Sequence, residues 1–215
     1  MLFSPSPYKL EIRYLPKFID LIRQEPKPKI IAIDIPIGLW EKGDRTCDKE
    51  ARALLGWPRR CSVFPPPPRS ALKAEDYNEA RELSIKATSG KSLSKQSFAI
   101  AEKIRQVDEW ISPRRQQRVL EVHPEVSFWA LNKGNSLKNN KKSGDGMEER
   151  LRLLRPLFVD LDGLLAVIDR HNAAVDDLLD AAVAVWTARR VAAGEECRLR
   201  SEERDCKGLR MEITY

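Results

Sequence analysis

Apolar and polar positions along this chain interleave short apolar runs with helical periodicities. Residues 8–15 (YKLEIRYL) alternate imperfectly, as in a half-exposed strand, and residues 16–24 (PKFIDLIRQ) have the spacing of a short amphipathic helix. The run KIIAIDIPIG (29–38) is β-branched and apolar, the composition of a strand covered on both faces, as in a parallel sheet. Residues 44–56 (DRTCDKEARALLG) predict a helix stopped at Gly56, and FPPPPRS (64–70) predicts a stiff extended connection that frames its neighbours. Helices are expected over 74–88 and 94–111. In the second, Ser97, Ile100, Ala101, Ile104, Val107 and Ile111 share one side, and Ser94 is placed to cap it. Val119–His123 predicts another buried strand, residues 132–146 (NKGNSLKNNKKSGDG) a mobile basic loop, and residues 147–158 and 174–193 two more helices. GLRMEITY closes the chain with strand-like alternation. Strands interleaved with helices predict one α/β domain over residues 1–215.

Several carboxylates break this pattern. Asp34 sits inside the apolar run, and Glu121 and His123 project from one face of a strand that is otherwise buried. In VDDLLDAAVAVWTARR, Asp176, Asp177 and Asp180 crowd the first turns of a helix, and Asp177 and Asp180 lie about 60° apart around its axis. Capping and the helix dipole account for one or two acids there. The small residues that follow predict a helix pressed against the sheet, which would carry its carboxylates toward Asp34 and Glu121. Ionised groups in a core need a counter-charge. Two solutions are open. Mg²⁺ or Mn²⁺ takes carboxylate oxygens while keeping waters for a phosphate, and two such ions can drive phosphodiester cleavage. Alternatively Arg45, Arg52, Arg59, Arg60 and Arg69 pair the same acids in a structural network.

The net charge of +6 and pI of about 9.2 favour acidic partners, nucleic acid among them. Lys141 and Lys142 in the basic loop either grip a phosphate backbone or are simply solvated. No apolar stretch approaches the roughly 20 residues of a spanning helix, so no membrane association is expected. The first residues lack the pattern of a secretory leader, and Cys47, Cys61, Cys197 and Cys206 lack CxxC spacing. Together these predict reduced thiols in a cytoplasmic protein. A nucleophilic Cys47 would need a base, and only His123 and His171 are available in the sequence. Trp129 and Trp186 are expected in the core.

Taken together, IAIDIPIGL, GDRTCDKEARALLG, SLSKQSFAIAEKIRQVDEW, VLEVHPEVSFWALN, DDLLDAAVAVWTARR and GLRMEITY resemble one uncharacterised bacterial and archaeal family, described as predicted nucleases with a ribonuclease H fold. The likeness runs from about residue 8 to the C-terminus. It implies a ribonuclease H-like mixed sheet flanked by helices, and two-metal hydrolysis of RNA, DNA or a branched nucleic acid. By that likeness Asp34, Glu121, Asp177 and Asp180 are catalytic and hold two Mg²⁺ or Mn²⁺ ions. Glu125, just past Pro124, competes for the role of Glu121. His123, Glu125, Arg45, Lys141 and Lys142 would contact substrate. Asp177, Asp180 and Ala181 match the Asp-x-x-Asp-Ala helix of certain resolvases. One departure stands out. Relatives usually begin with a central strand ending in Asp-Gly, followed shortly by Gly-Trp, which supplies the first metal-binding Asp. This chain opens on a segment similar to the next strand. The expectation is a start clipped relative to the family, a sheet lacking its first strand, unpaired neighbours beside an apolar groove, and a site short of one ligand. Rival expectations are a non-catalytic nucleic-acid- or partner-binding protein, and an enzyme acting on small phosphate esters.

Overall fold

A computed structural model describes residues 8–88, 90, 92–168 and 173–215, the side chains of residues 200 and 201 excepted. His171 lies outside the described residues. In chain order the elements are β1 (Tyr8–Lys9), α1 (Phe18–Ile22), β2 (Ile31–Ile33), α2 (Thr46–Leu55), α3 (Tyr77–Ala87), α4 (Lys95–Ala99), α5 (Ala101–Trp110), β3 (Val119–Glu121), α6 (Pro124–Leu131), α7 (Gly144–Leu154), β4 (Phe158–Val159), α8 (Leu161–Leu165), α9 (Val175–Ala193), β5 (Arg198–Arg204) and β6 (Arg210–Thr214). The class is mixed α/β.

Parallel β2 and β3 run in register from Ile31 opposite Val119 to Ile33 opposite Glu121. A parallel bridge from Val122 to Thr214 joins them to β6, which pairs antiparallel with β5 across an irregularity between Arg200 and Arg204. β1 and β4 form a separate parallel pair. Around these strands α9 packs against β2, α6 and α7, while α2 packs against β5 and β6. Phe128, Leu154, Phe158, Leu161, Leu179 and Val183 fill one core, and Cys47, Ala51, Val126, Met211 and Ile213 another. The expected apolar side of α5 meets the strands: Val107 and Ile111 lie in one cluster with Ile33 and Val119. Trp186 and Trp129 pack against the first two cores, half-buried, as their apolar settings predicted.

Local chemistry explains the helix ends. Asp76 caps α3 by accepting the N–H groups of Asn78 and Glu79, Ser94 caps α4 at Ser97, and Ser143 caps α7 at Gly146. Gly56 and Gly194 end α2 and α9 with positive φ. The helix expected over 94–111 is two helices. It breaks at Ile100, so that the Ser97 hydroxyl can donate to the Pro65 carbonyl (2.9 Å) and Phe98 can meet Tyr77 edge-on while α5 keeps its own apolar contacts. The strand expected over 8–15 pairs only at Tyr8–Lys9. Beyond it, residues 10–14 and α9 enclose an apolar groove of about 210 Å³ lined by Leu10, Ile12, Tyr14, Leu178 and Val185. Among the described residues β2 pairs on one side only.

Candidate active site

β2 and β3 are parallel, so their C-terminal ends open on the same side of the sheet, where the crossing connections leave room for a ligand. Asp34 follows β2, Glu121 ends β3, and His123–Glu125 turn directly into α6, with Pro124 at its first position. From the far end of the chain α9 brings Asp180 to the same place, and the 132–142 loop brings Lys141. Asp34, Asp48, Glu121, His123, Glu125, Lys141 and Asp180 thereby line one cavity of about 300 Å³, closed on another side by Ser62, Val63 and Phe64.

The acids differ in what they already hold. Glu121 accepts from the Arg45 guanidinium at 2.5 Å and from the Ile37 backbone N–H at 2.6 Å. Arg45 itself is fully enclosed and reaches Asp48 at 3.7 Å, so it braces the cavity wall and is not presented to a substrate. Burial lifts the Glu121 carboxyl to about 7, against the pull of Arg45. Glu125 pairs with the buried Arg150 through Oε1, while its Oε2 is buried without a partner. Asp180 accepts from Lys141 Nζ at 2.6 Å through Oδ2, and its Oδ1 is buried without a partner. Burial pushes Asp180 up to about 6; Lys141 opposes this, and the charges of Asp34 and Glu125 add to it. Asp34 is open to the cavity yet crowded by protein, and that crowding raises its carboxyl in spite of His123, Lys141 and Lys103. Among the described residues it forms no hydrogen bond or ion pair. His123 Nε2 lies 3.3 Å from the Ser62 carbonyl, which can only accept, so Nε2 is the donor there, and Nδ1 is buried without a partner.

Asp177 is not brought to this cavity. Its Oδ2 accepts the Ala174 N–H at the start of α9, and its side chain lines the apolar groove on the other side of the helix. The acid that accompanies Asp180 is Asp176, 3.4 Å from Lys141 Nζ. Four residues of helix bring two side chains back within about 40°, closer than the 60° of a three-residue step. Both spacings are present in the sequence; which acid joins Asp180 at Lys141 depends on how α9 docks. Lys142 stays on the exposed loop.

Residues 3–204 match a single family of proteins of unknown function. The chain belongs to the DUF429 family. No curated protein and no solved structure matches it. DUF429 membership agrees with the likeness to an uncharacterised family and leaves the chemistry to be argued from the cavity. Among the described residues of this DUF429 chain, no three His, Cys, Asp or Glu side chains stand together as a metal-holding group. Guanidinium groups already occupy one oxygen each of Glu121 and Glu125, and the Lys141 ammonium sits between Asp176 and Asp180. The acids as they stand do not fit the expected pair of ions.

Proposed function

We propose that this cavity hydrolyses phosphodiester bonds of nucleic acid, in a single ribonuclease H-like domain. The observation that carries this reading is the meeting of Asp34 and Asp180, from opposite ends of the chain, in one cavity with His123, Glu125 and Lys141. The +6 net charge suits a polyanion. Lys141 is placed to neutralise a phosphate oxygen. Asp180, titrating near 6, can take a proton from an attacking water and return it to the departing ester oxygen as the P–O bond breaks.

Incubation with RNA, DNA and branched substrates in Mg²⁺ or Mn²⁺ tests the reading. Cleavage is expected, reduced about 100-fold or more by Asp34→Asn or Asp180→Asn. Absence of cleavage, or cleavage undiminished by Asp180→Ala, overturns it. That no three-donor metal group stands among the described residues favours a second reading, a non-catalytic nucleic-acid-binding protein. Binding that survives EDTA, weakens steeply with salt and accompanies no turnover is its signature.

A further inference from the structure

The two segments that reach the cavity through residues 62–64 and through Lys141 carry aromatic and basic groups that neither the core nor the acid site uses. Trp57 is 80% exposed, the most exposed large apolar side chain among the described residues, and Phe64 is 45% exposed while lining the cavity. Both belong to the segment that supplies Ser62 and Val63 to the cavity wall. Two hydrogen bonds tie that segment to the basic loop. Arg59 donates to the Asn139 carbonyl (3.2 Å), and the Ser136 hydroxyl donates to the carbonyl of Leu55, two residues before Trp57 (2.6 Å). Exposed Arg60, Lys138 and Lys142 therefore belong to the same two joined segments as the aromatic rings, which together make a rim beside the cavity, with Lys141 reaching inward from it.

An exposed indole leaves a large apolar face in water, with no folding advantage to set against it. Beside lysines and arginines, such a face suits an unpaired base, because stacking needs only a free π-surface and the cations take the flanking phosphates. A base within a duplex keeps its faces covered by its neighbours. We propose that this rim is a single-strand platform: one base stacks on Trp57, the strand passes Phe64 into the cavity, and Arg60, Lys138 and Lys142 hold its phosphates. The inference rests on reading the cavity as a receiver of nucleic acid.

Anisotropy titrations in EDTA with labelled single-stranded RNA, single-stranded DNA and a duplex of the same sequence separate binding from cleavage. Single strands are expected to bind more tightly than the duplex. Trp57→Ala should weaken single-strand binding by about 5- to 100-fold, with Trp57→Phe retaining most of the affinity. The two single-strand arms show whether RNA or DNA is preferred. Equal affinity for the duplex, single-strand binding unchanged in Trp57→Ala, or no binding at low salt overturns the proposal. Trp57-dependent binding in a protein that cleaves nothing upholds the platform and removes only the catalytic reading.

Discussion

Two clusters of acids share this molecule and are built on opposite terms. In the first, Arg69 ties together Asp108 of α5 (3.0 Å), Asp205 after β5 (2.5 Å) and Glu41 (3.1 Å). Lys207 adds a second cation on Asp108 at 2.6 Å, and the backbone N–H groups of Leu39, Lys207 and Leu209 donate to Asp205. Burial raises the Asp108 carboxyl, but Arg69 and Lys207 outweigh it, so the group stays below the ordinary carboxylate range. In the second cluster, at the cavity, burial wins: Asp34, Glu121 and Asp180 are all raised, and oxygens of Asp180 and Glu125 have no partner. The contrast teaches that burial of acids is not itself the mark of a site. Capacity left over after the protein's own cations are counted is.

The largest expected effect falls on the saturated cluster. Arg69→Ala leaves Asp205 without a cation and Asp108 with Lys207 alone, and should lower unfolding free energy by about 3 kcal/mol in denaturant titration, with turnover per folded molecule unchanged. A loss below about 1 kcal/mol would erase the distinction between the clusters. Next comes Asp34→Asn, which removes a carboxylate that no hydrogen bond or ion pair engages among the described residues. Cleavage should fall about 100-fold while the denaturation midpoint holds or rises. An unfolded variant would place Asp34 with the structural acids.

The pH dependence is smaller and has a definite sign. Asp180 titrates near 6 in the folded chain and near 3.8 as its reference. The folded state thus keeps its proton longer, and this contribution to stability is full below about pH 4 and is lost as pH rises through 6. Comparing unfolding free energies of the parent and Asp180→Asn at pH 4 and pH 7 should reveal a difference of up to about 3 kcal/mol, reduced by the side chain's partial exposure. A flat difference would contradict the raised titration. The smallest effect belongs to Lys141→Met. The ammonium is about one-third exposed, so stability should change by about 1 kcal/mol or less. Losing that cation should still move the acidic limb of the activity profile to higher pH.

Much of this arrangement was legible in the sequence, because it depends on local chemistry. Ser94 as a cap, Gly56 as a stop, the buried side of α5 and the apolar ladders around Asp34 and Glu121 all rest on neighbours within a few residues. Other features depend on distant contacts. β5 reads RLRSEER, with a single apolar residue, and becomes a strand because β6 offers a ladder and Arg198 pairs with Glu212 at 3.0 Å. The break at Ile100 follows from the reach of Ser97 to Pro65. Helical spacing identified the acids of α9, but the docking of α9 selected Asp176 and Asp180 over Asp177. That Arg45 and Arg150 would sit beneath Glu121 and Glu125 has no local signal, because each pair is closed by residues remote in the chain.

Gly38 adopts φ +79°, and a Cβ there would lie 2.8 Å from the Met211 side chain and 2.9 Å from the Arg210 carbonyl. The turn after Asp34 is consequently wedged against β6 with no slack for a methyl group. Gly38→Ala would lever Ile37 away from the sheet, withdraw the amide that steadies Glu121, and loosen Arg45 behind it. A residue with no functional group thus sets the tolerance to which the acidic wall is machined.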